Sequence, residues 1–391
     1  MSPAGDTPRL AGASAVLQFL LDNSLLLVIG GVTALIWANV DAASYERIAH
    51  HPAVHFAVND IGMVFFFALA TKEVCEAMMP GGPLASPRQA AVPVFAAMGG
   101  MIVPASIYVG TAHLLGEVEI YRGWAIPCAT DIAFSYLVAR MVFPKGHAAI
   151  PFLLLLAIAD DALGLIVLAV FYPSGAVSLT TLVSWLAPAM LIAWSLRRMG
   201  VRSFWQYLAL PGLMSWVGLY SGGLHPALAL VPVVPFMPHR QSELKLFGRR
   251  PPIVLETVHE FENWWRMPVQ LILLAFGLVN AGVQVSSVGS VTWIVLASLV
   301  IGKPLGISLT TAIAGAAGFP RADGLTANAI FVTGIAAGIG FTVALFFATA
   351  AFPPGALQDQ AKMGALLSFL AAPIALGLGR YLKLRTSNSE L

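Results

Sequence analysis

Residues 152–171 read FLLLLAIADDALGLIVLAVF, an apolar run interrupted only by two adjacent aspartates, Asp160 and Asp161. A bilayer core of ~30 Å is crossed by roughly 20 apolar residues in a helix, so this stretch is long enough to span. A carboxylate near the bilayer centre costs at least ~2.5 kcal/mol, which makes a tandem pair there a marker of function. The rest of the chain agrees. Of 391 residues, 58% are hydrophobic and 10% charged, whereas a soluble domain carries roughly 25% charged residues. That is too little charge to coat a water-facing surface, which excludes a soluble enzyme and a disordered chain. A net charge of +2 offers no basic face for a nucleic acid. The composition is that of a polytopic membrane protein.

Comparable runs, broken by Pro, Gly or charge, fall near 13–38, 54–79, 89–115, 123–143, 148–172, 177–196, 204–220, 222–237, 254–283, 290–315, 326–352 and 359–382. They predict an all-α fold of about twelve transmembrane helices. Lys and Arg placement tests that count. With a cytoplasmic N-terminus, the cytoplasmic side holds Arg9, Lys72, Arg88, Arg140, Lys145, Arg197, Arg198, Arg202, Arg240, Lys245, Arg249, Arg250, Arg321, Arg380, Lys383 and Arg385. The other side holds Arg47, Arg122 and Lys362, while Arg266 and Lys303 fall inside spans. This asymmetry follows the positive-inside rule and sets both termini in the cytoplasm. The N-terminus lacks the basic start and the trailing small-residue site of a cleaved signal peptide, so the first run is expected to remain as a span. Cys75 and Cys128 are too few for a disulfide framework and lack metal-ligand spacing.

Pro127 in GWAIPCATDIAF and the glycines of VTGIAAGIGFT at 332–342 stand mid-span. Breaks at membrane depth are tolerated only where protein or a water-filled cavity satisfies the freed backbone. Interrupted helices at corresponding places in two halves point to a transporter built from inverted repeats. The expected organisation is one transporter domain over 1–391, with repeats near 89–172 and 290–382 and the remaining helices forming an interface panel.

Ionisable residues at depth are the candidate site. Asp160 and Asp161 are about 100° apart around a helix, so both can border one cavity. Two nearby carboxylates resist simultaneous ionisation, and when ionised they offer hard oxygen ligands to a small cation. A structural pair bonded to neighbouring helices is the alternative. Asp131, after Pro127 and Thr130, can offset the positive end of a half-helix or serve as a plain N-cap. Thr130 reads equally as cap, packing residue or ligand. Lys303 in LVIGKPLGISL must find an anion or lose its proton. Asp160 or Asp161 is the expected partner, in a static bridge or in one that opens when sodium takes the carboxylate. Asp60 and Glu73 lie on the second span, where either can be a solvated cap. In ETVHEFENWWRM, 256–267, Glu256, His259, Glu260 and Glu262 gather at a helix entrance. The spacing is not HExxH, so a zinc hydrolase is excluded; a pH-responsive mouth with His259 titrating and an ordinary amphipathic helix end both fit. His225, beside Pro226, reads as a packing histidine.

The chain resembles the NhaA family of sodium/proton antiporters. The resembling stretches are ND at 59–60, SPRQAAVPVFAAMGGMIVPA at 86–105, GWAIPCATDIAF at 123–134, LAIADDALG at 156–164, LVNAGV at 278–283, IGKPLGISL at 301–309 and GIAAGIGFTVALFFA at 334–348. The resemblance implies two broken helices crossing near the midplane beside the ion site. It makes Asp161 the principal ion-binding carboxylate and Asp160 the partner of Lys303, with Asp131 and Thr130 at the fourth helix's break. It puts Asp60 and Glu73 in the cytoplasmic ion pathway or near a pH-responsive region. It further implies electrogenic exchange of two protons per sodium or lithium ion, no cofactor, and a bacterial inner membrane. Three stretches depart from the family. The loop at 39–53 is too short for the β-hairpin through which members form homodimers. ATKEVCEAMM replaces a GLEVKREL-like run, and Asn263 follows Glu262 where a Glu-His pair is common.

The expected mechanism is alternating access by one carboxylate site on which sodium and protons compete. An intramembrane aspartyl protease would need its aspartates on separate facing helices. An organic-anion carrier on a related fold would want more cationic ligands than Lys303, and a channel would want a filter motif that is absent from the sequence.

Overall fold

The computed structural model describes residues 25–238 and 257–384. Among the described residues the chain is helical throughout, with no strand. In order, α1 is Leu25–Val40, α2 the short Ala42–Ala49, α3 Pro52–Met78 and α4 Pro87–Leu115. A tight 3-10 segment, Val118–Cys128, then bends by 55° into α5, Ile132–Val142. Next come α6, Ala149–Phe171, α7, Leu179–Arg198, α8 over 204–221, α9, Thr257–Asn280, and α10, Ser290–Ala316. A second bent pair, α11 (Ala327–Ala337) and α12 (Phe341–Ala351), turns by 52° before α13, Ala356–Tyr381. Six of these helices are long and apolar enough to cross a membrane unaided, and eight passages qualify when each bent pair counts as one. The chain is a multi-pass membrane protein. Its outer surface carries apolar stripes such as Ile301, Leu305, Leu309 and Ile313 of α10, exposed at every fourth residue, which is lipid-facing helical periodicity.

Two sequence expectations change. The run at 222–237 is not an α-helix: it descends through 3-10 turns at Pro226–Leu228 and Val234–Phe236, held mostly by bonds spanning three residues. Pro226, Pro232, Pro235 and Pro238 supply no N–H, so a regular α ladder cannot propagate through them. The segment still runs the length of α7. Ser178 N donates to Gly222 O (3.1 Å) at the start of that helix, and Arg197 donates to Pro235 O (2.8 Å) at its end. The other change is at the first break. Residues before it wind as 3-10 rather than α, and the chain leaves helical geometry at Ala129–Asp131, after Pro127.

Where the family's hairpin would stand, α2 forms a helix. Asp41 caps it by accepting from Ser44 N (3.1 Å), and the buried Tyr45 donates to the carbonyls of Leu278 and Val279, each at 3.0 Å.

The breaks are positioned by α4, α6 and α10. α4 and α10 touch backbone to backbone: a Cβ on Gly306 would run into the carbonyl of Gly99, and one on Gly99 into Gly306 O and Thr310. Small residues permit such contact between membrane helices. Gly99→Ala and Gly306→Ala should each destabilise the protein by about 1–3 kcal/mol through overpacking, read as a lower melting temperature in detergent. Gly110→Ala on α4, with nothing within 4 Å of its Cβ position, should leave that temperature unchanged or raised.

Candidate ion-binding site

The two helix breaks bond each other. Asp131 N donates to Ile339 O at 2.7 Å, and Ser135 Oγ donates to Ala336 O at 2.8 Å. The Asp131 carboxylate caps both half-helices that start there. Oδ1 accepts from Phe134 N of α5 (3.4 Å), and Oδ2 accepts from Thr342 N of α12 (3.2 Å) and from the Thr342 hydroxyl. A buried negative charge thus faces two helix N-termini, each carrying partial positive charge.

The opposite polarity is met by Lys303, which follows a wide π-type turn at Ser298–Gly302. Its side chain is fully buried. The ammonium donates to Cys128 O (2.6 Å), a carbonyl at the end of the 3-10 segment, and to Asp160 Oδ2 (3.0 Å). Thr130 Oγ1 donates to that same oxygen at 2.7 Å. Asp160 Oδ1 is buried and has no hydrogen-bond partner. Buried carboxylate oxygens normally have partners, so one acceptor position of Asp160 remains open beside its neighbour.

Asp161 differs from Asp160 in every respect that matters here. It is half-buried, and among the described residues no hydrogen bond ties its carboxylate down. It also lines two cavities. One, of about 20 Å³, is shared with Asp160 and closed by Phe66, Phe67, Phe346 and Phe347. About one water or small ion fits a space of that size. The other, of about 220 Å³, connects Asp161 with Thr130, Asp131, Thr342 and Glu73. Carboxylate, hydroxyl and carbonyl oxygens are the donor set of a hard cation, and the same carboxylates accept protons.

Glu73 therefore meets the site, and next to it lies a charged cluster at the end of α3. The buried Lys72 ammonium contacts Glu76 and Glu262, each at 2.7 Å, and His259 Nδ1 lies 3.7 Å from Glu262. Glu256 lies outside the described residues. Asp60 does not join this cluster: it precedes Glu73 by thirteen residues on the same helix, about 20 Å at 1.5 Å per residue. The groups near it are Trp216, which donates to its carbonyl (3.0 Å), and a reciprocal amide pair between Asn59 and Asn280 (2.9 and 3.2 Å). His225 accepts from Ala227 N (3.3 Å) and packs on the ring of Phe346.

Sequence reasoning missed Thr342, the carbonyl of Cys128 and the Lys72–Glu262 link. Thr342 carried a faint signal, a hydroxyl straight after a Gly-flanked break. The carbonyl carried none.

The sequence matches the family described as Na+/H+ antiporter 1 over residues 16–378. It is 46% identical over 377 residues to the Na(+)/H(+) antiporter NhaA of Desulfitobacterium hafniense (strain DSM 10664 / DCB-2), covering 94% of this chain and 96% of that protein. The Na(+)/H(+) antiporter NhaA of Geobacter sulfurreducens is 45% identical, covering 94% of this chain and 98% of that one. Among solved structures, the fold is similar to that of the sodium proton antiporter MjNhaP1 from Methanocaldococcus jannaschii at pH 8. The TM-score is 0.54 with 15% identity, over 96% of this chain and 95% of that one.

The buried Lys303–Asp160 pair makes a stability prediction. Breaking a buried pair by removing one partner costs about 3–5 kcal/mol, because the other charge is left uncompensated. Lys303→Met should lower the melting temperature in detergent accordingly. Adding Asp160→Asn should recover a large part of the loss, and a double variant no more stable than Lys303→Met alone would contradict the pairing.

Proposed function

Because the chain belongs to the Na+/H+ antiporter 1 family, we propose that it exchanges Na+ for H+ across the membrane at a single site made by Asp160 and Asp161. The observation that carries this reading is the asymmetry of the pair. Asp160 is held by Lys303 and Thr130 with one oxygen open, while Asp161 is untied and reached from the 220 Å³ cavity. Asp161 is the principal cation ligand and proton acceptor. Asp160 completes the ligand set through its open oxygen, and sodium drawing on its charge loosens Lys303, which then gives up a proton. Thr130 offers a further oxygen. Asp131 holds the crossing together and places its charge beside the cavity.

Two titrating groups against one cation make the exchange electrogenic, with two protons moved per ion. Lithium, a smaller cation of equal charge, is the second cargo. The Lys and Arg asymmetry supports both termini being cytoplasmic, and membership of the family supports a bacterial inner membrane. The two bent pairs support inverted repeats near 89–172 and 290–382. Glu73, His259 and Glu262 form the cytoplasmic approach and its pH response; Glu256, expected with them, lies outside the described residues. Since α2 stands where the hairpin would be, a homodimer would need another contact.

The alternative, an organic-anion carrier, is disfavoured because Lys303, the ammonium beside the site, is already paired with Asp160. Proteoliposomes settle the matter. Sodium or lithium should dequench a trapped pH probe with the unaltered protein, and Asp161→Asn should abolish the signal. Sodium should also raise the melting temperature of the unaltered protein and not that of Asp161→Asn. Exchange insensitive to an imposed voltage would overturn the two-for-one stoichiometry.

A further inference from the structure

At the membrane face opposite the Lys72–Glu262 cluster, a second group of titratable side chains surrounds a polar cavity of about 160 Å³ lined by Tyr45, Glu46, His50, Gln284, Ser287 and Asp359. His50 closes the end of α2, where burial and the nearby Lys362 ammonium hold its imidazole below the usual range. It therefore stays neutral near pH 7 and available as a proton acceptor.

Behind this cavity lies Lys362, six residues into α13 and 3% exposed. Among the described residues it has no hydrogen-bond or ion-pair partner, in contrast to Lys72 and Lys303. Asp359, three residues earlier, is the acid whose charge acts on it, and its own charge reaches His50 and His55. The segment Val118–Cys128 also packs on this part of α13 and carries Glu119, Tyr121 and Arg122; the neighbouring parts of α10 and α12 carry no charged group. The start of α13 is fixed in place. Gln358 donates to Phe352 O (2.7 Å), Thr292 donates to Gln360 O (2.9 Å), and Gln360 Oε1 accepts from Val291 N (3.2 Å). Lys362 therefore cannot swing to a distant acid by helix movement alone.

A buried ammonium without a bonded anion is costly, and lysine, unlike arginine, relieves that cost by releasing its proton. The geometry points to Lys362 as a second proton-carrying amine, which exchanges its proton with the solution on this face through the cavity of Glu46, His50 and Asp359. In the step, an N–H bond of the ammonium breaks and the electron pair stays on nitrogen. The proton passes to water in the cavity and through it to the Asp359 carboxylate or the solution, and the reverse step reloads the amine. His55, whose Nε2 meets the Asn59 amide at 2.8 Å, is the next titratable group toward the interior.

The inference rests on sodium/proton exchange as the activity, and its test separates the two. Exchange is measured in right-side-out and inverted vesicles while pH is varied on one side only. Lys362→Met cannot carry a proton, and Lys362→Arg keeps the charge but cannot release one. Both should slow exchange roughly tenfold or more and flatten its dependence on pH at the cavity face. The dependence at the other face should be kept. Arginine restoring the normal rate and profile would show a fixed charge and overturn the proposal, as would slowed exchange with an unaltered profile. If neither lysine variant folds, Asp359→Asn and His50→Gln should each move the pH midpoint at the cavity face by roughly half a unit or more; an unmoved midpoint also overturns it. Loss of all exchange at every pH is reserved for Asp161→Asn.

Discussion

Asp131 sits where two interrupted helices meet, and the rest of the site depends on how it closes that junction. A break at membrane depth frees backbone groups that no lipid can satisfy. Here the amide of Asp131 bonds the carbonyl of Ile339, and its carboxylate receives the opening amides of both following half-helices. The carbonyl end of the 3-10 segment has the reverse polarity, and Lys303 meets it at Cys128 O. An anion and a cation are thus built into the crossing before any transported ion arrives. This pre-set charge lets irregular backbone persist beside α6, and it brings Thr130 within reach of Asp160.

The tandem aspartates then acquire unequal roles from their surroundings rather than from their chemistry. Neighbours in sequence point about 100° apart on a helix. One turns toward Lys303 and Thr130, the other toward the cavity that reaches Glu73. One carboxylate is fixed by two donors while the other is left untied. Loss of the lysine contact would leave Asp160 held by Thr130 alone.

Much of this was legible in the sequence. Membrane spans announce themselves by apolar length, and a charge inside one stands out because it is expensive to place there. The run at 152–171, the breaks near Pro127 and the 332–342 glycines, and Lys303 were all visible on those grounds. Partners were not. Lys303 and Cys128 are 175 residues apart, and Asp131 and Thr342 are 211; only tertiary packing brings them together. A carbonyl ligand leaves no trace in residue type. Asp60 and Glu73 were legible as opposite ends of one span, thirteen residues apart, but which cavity each faces was not. The link from Lys72 to Glu262 joins two runs of charge 190 residues apart, and neither run names the other as its partner.

The proline-rich descent after α8 has a consequence for reading such chains. Between its tethers at Gly222 and Pro235 it advances thirteen residues, while α7 beside it uses nineteen, from Ser178 to Arg197, to cover the same ground. A 3-10 path climbs about 2.0 Å per residue against 1.5 Å for an α-helix. Tighter winding makes a thinner, longer rod from the same number of peptide units. A strut of this kind can therefore cross in fewer than the roughly twenty residues that an α-helical span requires, and every later segment inherits the change of direction.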